Sequence, residues 1–475
     1  MLPPSPLPAA LPPSPPPVPT NAACRDTVAP AIPAARRTFY IDAGTGDDQA
    51  NGLTPRTAWR SLAKANSAAQ PGDLFLLNGT FKKQLIHPGQ SGTPTAKIVY
   101  RALAGGSAVM DGGQYDVIAW LDGVSHVVVD GLELRNEAEP VVIRTGSNHI
   151  WLRNLYIHDA GSSAIHLVNA SDNRIEDSRI ERVGSEDRNA GEGIFIQDGS
   201  HRNAIVRNTI SLAGHGVLSI SYQTATEASS DDNLIERNDL SNPWAAGIGL
   251  NGKANRTIVQ CNRIHDTADG SSVNYARPGI EVEGHGNLVR FNEVFRTGAQ
   301  GVSIQGRELF GFTQNGTSNR IYNNTFWQNG RRKTGGGLGS LQLIQMRLGS
   351  VRGNVIEGNI FWHDQGFSFE RASYAVTADL YHAAVPWLPG TANTNIVRNN
   401  VFPSAQTLLL VVRSGAANEI FTLRRAQGTL AGWTGNVQTD PLFIDESAGE
   451  VHLRDESVAL RMGAGAHCAD RCIVH

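Results

Sequence analysis

The stretch that decides the fold is NAIVRNTI at residues 203–210, which is followed one period later by NLIERNDL at residues 233–240. Each stretch contains a short apolar strand, a polar turn with an asparagine, and the start of a second apolar strand. The period starts at roughly 24 residues and lengthens to about 40 as loops grow, which is typical of solenoid repeats. The same unit recurs as HIWLRNLYI, NRIEDSRI, RTIVQCNRI, NLVRFNEV, NRIYNNTF, NVIEGNIF and NIVRNNVF.

These repeats predict the fold class and the organisation of the chain. Because a solenoid grows by adding coils, 475 residues need not divide into several domains. We predict an all-β, single-stranded right-handed parallel β-helix solenoid with an N-terminal capping helix that covers its open end. Residues 1–37 are predicted to be a proline-rich disordered spacer, and residues 38–475 the β-helix domain. Within that domain we expect repeat coils at about 126–402 and a C-terminal cap at 403–475.

An asparagine occupies what we take to be the same place in most of the repeats. Stacked asparagines at one corner can hydrogen-bond from coil to coil and satisfy the backbone of the turns. We therefore interpret them as structural rather than functional. The predicted column consists of Asn154, Asn208, Asn238, Asn262, Asn292, Asn324, Asn359 and Asn400, with Ser178 in the remaining repeat.

A second strand in each coil, such as GIFIQD, GIGLNG, GIEVEG and GVSIQG, alternates apolar residues with others. Since alternate side chains of a strand face opposite sides, the residues between the apolar ones should form two columns exposed to solvent. Carboxylates, amides and small residues concentrate there in the middle coils, which predicts a ligand groove. The columns are His166, Phe195, Ser219, Gly249, Glu281, Ser303, Gln342 and Val168, Gln197, Ser221, Asn251, Glu283, Gln305, Ile344.

The composition narrows the class of partner and the location of the protein. A formal net charge of −3 argues against a nucleic-acid partner, which would need a basic face. No apolar run reaches the roughly 20 residues of a transmembrane helix. We expect a secreted or cell-surface monomer, although no signal peptide is visible in this chain. Cys468 and Cys472 are close enough to form a bridge, whereas Cys261 lies inside a repeat and is expected to be a buried free thiol.

The sharpest chemical signal is the triplet Glu281-Val282-Glu283. Two carboxylates at i and i+2 of a strand lie on one face, and like charges that close need a cation or a shared proton. Ca²⁺ takes several oxygen ligands and can bridge them, with Asn251 of the preceding coil adding an oxygen. A salt bridge to Arg277 or Arg307, or a solvated pair, is the alternative.

Several other side chains border this groove. Lys253 can act as a base if it is partly desolvated, or it can be an exposed charge at the end of a strand. Arg307 and Arg277 can neutralise a sugar carboxylate, and Tyr275 on a long loop can stack on a sugar ring or pack against the solenoid. Gln305 belongs to the column beside Glu283. We therefore expect Lys253 and Arg307 in catalytic roles, and Arg277, Tyr275, Asn251 and Gln305 in substrate binding.

His215 lies between two glycines and is a candidate general acid or base. Glu192, which we place in substrate binding, begins the strand of the preceding coil. This pair resembles polygalacturonases, in which a Gly-His-Gly segment follows an acidic pair by about one coil. The present chain has Gly191-Glu192-Gly193 where that family has two adjacent aspartates.

A wider resemblance rests on PGDLFLLNGTFKKQLIHPGQSGTPTAKIVYRALAG at residues 71–105 and on the Glu-Val-Glu triplet. The chain resembles the chondroitinase B and alginate lyase type of polysaccharide lyases. The resemblance implies that Glu281 and Glu283 bind Ca²⁺ and that Arg307 assists catalysis. The lysine that serves as the family's base is missing, because GHGNLVR follows the triplet here, and Lys253 or His285 would have to replace it.

Three hypotheses follow for the function. The first is cleavage of an acidic polysaccharide by β-elimination, with a cation on the uronate carboxylate and a base that removes the adjacent proton. The second is a glycoside hydrolase that uses a pair of glutamates. The third is a glycan-binding surface solenoid without catalytic activity, because one fold hosts many functions.

Overall fold

The computed structural model describes residues 31–113, 117–184, 191–243, 246–267, 278–306, 308–309, 311–330, 341–345, 351–362, 381–386, 394–403, 408–412 and 419–466. In these residues the chain winds into coils, and each strand pairs in parallel with the equivalent strand of the next coil. Three stacks of strands result, here named the front sheet, sheet A and sheet B. The predicted all-β parallel solenoid is confirmed.

The front sheet carries the predicted columns, and its last pairing is antiparallel. Its strands are Ala119–Asp122, Val141–Arg144, Ile165–Val168, Ile194–Gln197, Leu218–Ile220, Ile248–Leu250, Ile280–Val282, Val302–Gly306, Leu341–Gln345, Tyr381–Pro386, Leu408–Val412 and Glu419–Thr422.

Sheets A and B are both parallel and are joined through the long strand Asp73–Lys82, which takes part in each. The other strands of sheet A are Arg37–Asp42, Ile98–Ala102, Val127–Asp130, Trp151–Arg153, Arg174–Glu176, Ala204–Val206, Leu234–Glu236, Ile258–Gln260, Leu288–Arg290, Arg320–Tyr322, Val355–Glu357, Ile396–Arg398 and Trp433–Thr434. Those of sheet B are Ala108–Asp111, Glu133–Glu137, Tyr156–Ala160, Arg179–Val183, Thr209–Ala213, Asp239–Ser241, Arg263–His265, Glu293–Phe295, Thr325–Trp327, Ile360–Trp362, Val401–Phe402 and Val437–Gln438.

The remaining elements are short and lie outside these stacks. Two antiparallel hairpins pair Glu308–Leu309 with Phe312–Thr313 and Phe443–Asp445 with Glu450–Leu453. Among the described residues, no helix is long and apolar enough to cross a membrane. The α-helices are Leu62–Ala68, Leu423–Thr429 and Val458–Arg461, and the 3-10 helices are Pro55–Thr57 and Glu446–Ala448.

The predicted N-terminal capping helix is present at Leu62–Ala68. The Ser61 hydroxyl accepts a hydrogen bond from the Lys64 amide and so caps the helix. Leu62 and Ala65 face the core and are fully buried. The helix therefore supplies the apolar layer that the first coil needs at its open end.

The core is built from the alternation that the sequence shows. The apolar residues of the front-sheet strands, such as Ile194, Ile196, Ile248 and Leu250, are all fully buried inside the coil. The residues between them face outward, as a period of two requires. Because the interior is a continuous stack of aliphatic side chains, the outward positions are free to carry polar chemistry.

A ladder of buried asparagines links the coils at the corner between sheets A and B. The side-chain oxygen of Asn262 accepts hydrogen bonds from both the amide and the side-chain nitrogen of Asn238, each at 2.9 Å. The same pattern repeats from Asn208 through Asn238, Asn262, Asn292, Asn324, Asn359, Asn400 and Asn436.

The prediction that Asn154 belongs to this ladder is wrong. Leu155 stands at the ladder position of that coil, and its amide donates to the hydroxyl of Ser178. Asn154 lies one residue earlier, is exposed, and has a left-handed backbone with φ of 51°. The dipeptide Arg-Asn also occurs in repeats that do contribute an asparagine to the ladder. In this coil, however, the dipeptide lies one residue earlier relative to the ladder position.

We predict that Asn238→Gly lowers the free energy of unfolding by about 2–3 kcal/mol, because buried partners on two neighbouring coils lose their hydrogen bonds. Asn242→Gly is the matched control, since glycine suits its left-handed backbone with φ of 51° and its side chain is exposed. Denaturant unfolding of both variants checks this expectation. Equal losses for the two variants would contradict the structural role of the ladder.

The described C-terminal residues fold back over the outer face of sheet B. Phe295, Trp327 and Trp362 line that face, and they pack in one cluster with Phe443 and Val451. Farther along, the Ala466 amide donates to the Thr325 hydroxyl at 2.9 Å. The C-terminal segment therefore covers an aromatic wall that would otherwise be exposed.

The expectation that Cys261 is a free thiol is wrong, because it is disulfide-bonded. Cys261 lies at the corner after a strand of sheet A with φ of 56°, and its side chain is not part of the aliphatic interior. A corner position faces outward and can reach a second segment of the chain. Cys24 and the predicted pair Cys468 and Cys472 lie outside the described residues.

One carboxyl group lies buried under this C-terminal segment. Burial raises the pKa of Glu293, and the charges of His452 and Arg263 only partly oppose that effect. The Arg263 Nε atom lies 3.8 Å from the Glu293 carboxylate. The pKa of Glu293 is higher in the folded than in the unfolded state. Ionisation of Glu293 therefore lowers the free energy of unfolding, and this loss appears as the pH rises above the ordinary pKa of glutamate.

We predict that Glu293→Gln raises the free energy of unfolding at neutral pH by on the order of 1 kcal/mol. The gain should vanish at a pH below the ordinary pKa of glutamate, where the carboxyl is protonated in both states. Denaturant unfolding at the two pH values measures it, with the exposed Glu456→Gln as the control. A loss of stability at neutral pH would show instead that the charge of Glu293 is favourable.

Candidate functional site

The two outward columns of the front sheet have the predicted register, but the expectation that they are exposed to solvent is wrong for most of the described positions, since Phe195, Glu281 and Gln305 are all buried. Phe195 pairs with Ser219, Ser219 with Gly249, Gly249 with Glu281, and Glu281 with Ser303 on successive strands. This pairing also fixes the register of Ser219. Gly249 has no side chain, so only small residues lie between Phe195 and Glu281 in this column, and all of them are buried. Two charged groups lie on either side of this stretch.

The first charged group centres on Glu281. Its Oε1 atom accepts a hydrogen bond of 2.7 Å from Gln305, whose nitrogen also contacts the Ser303 hydroxyl at 3.1 Å. Glu281 is 7% exposed and Glu283 is fully buried. Buried carboxylates are costly unless positive charge or hydrogen bonds compensate them. Two of them two residues apart on one face make this part of the column acidic.

Asn251 lies next to Glu283 on the neighbouring strand, because Leu250 pairs with Val282 and the Glu283 amide donates to the Leu250 carbonyl. The Asn251 amide nitrogen donates to the Ser221 hydroxyl at 2.6 Å. Among the described residues, no group of three or more His, Cys, Asp or Glu side chains could hold a metal. Carboxylate and amide oxygens are the types of ligand that Ca²⁺ prefers.

Lys253 does not line the groove as an available base. Its side chain is buried, and its ammonium donates to the carbonyl oxygens of Ala225, at 2.7 Å, and Glu227. It also lies 5.3 Å from the ring centre of Tyr222 and 5.1 Å from that of Phe312. Carbonyl oxygens and aromatic faces both stabilise the charged form. This environment favours a structural role, since a base has to be deprotonated.

We predict that Lys253→Met lowers the free energy of unfolding by about 2–3 kcal/mol, because buried carbonyls lose a charged donor. Loss of this contact should also release residues 222–227, so limited proteolysis should cut there faster than in the wild type. The exposed Lys82→Met is the control for removal of a positive charge. An unchanged proteolysis rate would argue that Lys253 does not hold the loop.

The second charged group lies in earlier coils than Glu281. Its residues precede the strands Ile194–Gln197 and Leu218–Ile220 of the front sheet. The Nδ1 atom of His215 is 2.8 Å from Glu192, and the Ser163 hydroxyl donates to the other oxygen of Glu192 at 3.0 Å. The His215 side chain is one-third exposed. The contact with the Glu192 carboxylate holds the orientation of the imidazole ring. The pair is thus suited to proton transfer.

The structure separates the two charged groups. The strand after His215 and the strand of Glu281 are two spacings apart, which is about 10 Å. Glu281 is also held toward Gln305, on the side away from His215. His215 and the Glu281 carboxylate therefore belong to two different parts of the front sheet. Sequence reasoning treated all these residues as one site.

Three candidate residues, Arg277, Tyr275 and Arg307, lie outside the described residues. His285 lies two residues beyond Glu283, and its side chain is exposed. Its amide donates to the Asn255 side chain at 3.0 Å, which fixes the backbone there. Of the two residues expected to replace the missing lysine, His285 is therefore the accessible one.

Sequence reasoning missed a second pair of a histidine with a carboxylate. The Nδ1 atom of His166 lies 3.3 Å from Glu139, and the His166 ring stacks on Phe195 with 5.0 Å between ring centres. His166 was identified as a column residue. The sequence did not indicate Glu139, because this residue precedes the strand Val141–Arg144 and is not part of the repeated pattern.

The comparisons with known proteins agree with this architecture. A family model described as the right-handed β-helix region matches residues 111–264. No sequence among the curated proteins matches the chain.

Several solved structures are similar in fold. The chain is 13% identical to the alginate lyase AlyGC of polysaccharide lyase family PL6, with a TM-score of 0.54 over 90% of this chain and 56% of that chain. The pectate lyase Pel9A is 13% identical, with a TM-score of 0.48 over 90% of this chain and 91% of that one. A GH136 lacto-N-biosidase from Eubacterium ramulus is 15% identical, with a TM-score of 0.49 over 77% and 67%. By its family match and its architecture, the chain is a right-handed parallel β-helix protein.

Proposed function

We propose that the protein is a carbohydrate-active enzyme that cleaves an acidic polysaccharide by β-elimination in the groove of the front sheet. The observation that carries the proposal is the buried pair Glu281 and Glu283 beside the amides of Asn251 and Gln305, on an outward face. The fold is compatible with such an activity, since an alginate lyase shares it. Because polysaccharides of this kind are extracellular, we propose that the enzyme is secreted or displayed at the cell surface.

The charge of the site is the first argument. Two buried carboxylates would repel a uronate substrate unless a cation lies between protein and substrate. We propose Ca²⁺ with Glu281, Glu283 and Asn251 as its protein ligands. When bound, the ion would lower the energy of the negative charge that develops when the proton next to the uronate carboxyl is removed.

Residues of the protein then hold the groups of the site in place and take up the proton. Gln305 holds the Glu281 carboxylate through its side-chain nitrogen and so fixes its direction. We propose His285 as the base that takes the proton, because its exposed ring follows Glu283 by two residues. Arg307 is proposed to assist at the substrate carboxylate, with Arg277 and Tyr275 in substrate binding. Lys253 is proposed to hold the loop at residues 222–227.

We predict that the wild-type protein generates an unsaturated uronate, seen as ultraviolet absorbance, on at least one of alginate, pectate, chondroitin and hyaluronan. Chelation should abolish this activity, and added Ca²⁺ should restore it. Glu281→Gln should reduce kcat/KM by at least about a hundredfold, because the charge that holds the ion is lost. Glu456→Gln should leave it unchanged.

His285→Ala tests the base in the same assay. It should lower kcat about a hundredfold or more with little change in KM, because a base acts in the transition state. His149→Ala is the matched control, since His149 is also an exposed corner histidine. An unchanged kcat for His285→Ala would exclude it as the base without excluding β-elimination.

A glycoside hydrolase is the second candidate, and the His215–Glu192 pair favours it. In that case His215 would activate a water molecule, and new reducing ends would appear without ultraviolet absorbance. Loss of those ends in His215→Ala, but not in Glu281→Gln, would assign the reaction to that end of the groove. If neither assay detects a product from acidic or neutral glycans, the protein would instead be interpreted as a glycan-binding solenoid.

A further inference from the structure

The outer face of sheet A carries a column of mostly apolar side chains that runs along the solenoid axis. Parallel pairing places one outward residue of each strand in this column, and Arg174 is its one charged member. Apolar residues on an outward face mark a surface that another segment covers. We define the apolar stripe as Leu74, Val99, Val128, Trp151, Arg174, Ala204, Leu234, Ile258 and Leu288.

The N-terminal segment covers the first part of this stripe. Val99, Val128 and Trp151 form a cluster outside the core, and Ile32 packs against it. The three stripe residues are at most 4% exposed. The first strand, Arg37–Asp42, lies before this cluster in sheet A, so the chain from Arg37 back to Ile32 points toward the later coils.

Residues farther along sheet A are also buried, although they face outward. Val206 is fully buried and lies outside the core cluster. On sheet B, the outward residues Thr209 and Asp239 of the same and the next coil are exposed at least in part. This difference between the two sheets indicates that a further segment of the chain lies over sheet A.

A disulfide bond marks a point still farther along the same sheet. Cys261 directly follows the strand Ile258–Gln260, is 6% exposed and is disulfide-bonded. The other cysteines of the chain are Cys24, Cys468 and Cys472. The partner of Cys261 therefore comes from one of the two ends of this sequence.

The distances favour Cys24. Cys24 precedes Ile32 by eight residues, which span about 25 Å in an extended chain. Five strand spacings lead from Val128, which Ile32 contacts, to Ile258, and they amount to about 24 Å. Residues 24–32, here named the N-terminal strap, therefore have the length that the rest of the path requires.

The C-terminal cysteines fit this geometry less well. The Ala466 amide donates to Thr325, whose strand lies two spacings beyond that of Arg263 in sheet B. Two spacings are about 10 Å, whereas Cys468 follows Ala466 by two residues, which span at most about 7 Å. Cys468 and Cys472 are also close enough to bridge each other.

The residue pattern of the strap matches the surface that it would cover. In an extended chain Val28, Pro30 and Ile32 lie on the same side as Cys24, and this side is apolar apart from Asp26. Asp26 precedes Val28 by two residues and falls about one spacing before Cys261. Arg237 occupies that corner, because Glu236 pairs with Gln260.

The prolines of this region favour a strap that crosses the strands rather than an added strand. Pro30 and Pro33 have no amide hydrogen, so they cannot donate to a strand ladder. A segment that lies across the outer face packs through its side chains and needs no such ladder.

We propose that the N-terminal strap lies along the apolar stripe of sheet A and is fixed at its far end by a disulfide bond between Cys24 and Cys261. Coils of a solenoid otherwise contact only their neighbours, so a strap over several coils braces them along the axis. For these residues the proposal replaces the expected disordered spacer. It does not depend on the proposed cleavage.

Peptide mapping of the full chain, produced in an oxidising compartment and alkylated before digestion, tests the bond. Without reductant, trypsin should release the peptide that ends at Arg25 joined to peptide 257–263, which contains Cys261. Reductant should separate the two. A bond from peptide 257–263 to peptide 462–471 or to Cys472, or a free thiol at Cys24, would overturn the proposal.

Val28→Asp and Ala29→Asp test the contact with the stripe. Each substitution adds a carboxylate to the strap, but only residue 28 faces the apolar column in the proposed arrangement. Limited digestion with proteinase K should cut between residues 25 and 36 at least about tenfold faster in Val28→Asp, because a charge on an apolar surface releases the strap. Ala29→Asp should be cut at the rate of the wild type.

Equal rates for the two variants would show that the strap does not lie on the stripe. Neither residue belongs to the core of the solenoid, and circular dichroism checks that both variants fold. Because the readouts are peptide masses and cleavage rates, they succeed or fail independently of the ultraviolet assay.

Discussion

Hydrogen bonding between successive coils is the constraint on which the rest of this structure depends. Each inner strand pairs in parallel with the equivalent strands of the preceding and the following coil, so the register of one coil fixes that of the next. The ladder from Asn208 to Asn436 secures this register at one corner. A second ladder secures the corner before sheet A, through Asn173, Asn203 and Asn233 and then Asn287, Asn319, Asn354 and Asn395. Slippage by one residue would turn the core outward, and both ladders resist it.

Once the register is fixed, the residue types at the outward positions of the front sheet can vary without a change in the core. Glu281 and Ser219 can differ in chemistry because the aliphatic stack behind them is the same in every coil. The fold thus separates stability from function along each strand. Such a separation is one reason why a single fold can host many functions.

The sequence predicted the features that the repeat controls. Period-two alternation predicted the columns, including the pairing of Gly249 with Glu281, because it depends only on the strand itself. The sequence-based predictions were wrong where a side chain is held by a contact with a segment outside the repeat. Lys253 is fixed by carbonyls of a loop more than twenty residues away, and Cys261 is disulfide-bonded although the repeat alone indicated a buried thiol. The shift of Asn154 shows a different limit, since a shared dipeptide does not prove a shared register.

The distribution of charge along the groove bears on the kind of ligand that the face accepts. The pair Glu192 and His215 and the pair Glu281 and Gln305 lie on different coils, and the coil of Gly249 lies between the coil of His215 and that of Glu281. A monosaccharide could contact only one of these groups, because the strands are about 5 Å apart and the groups span several strands. An extended chain that lies along the solenoid axis contacts both. Its successive units then meet different electrostatic environments, so the groove can distinguish units by charge as well as by shape. This is a consequence of a straight, stacked scaffold, in which neighbouring subsites are built by neighbouring coils.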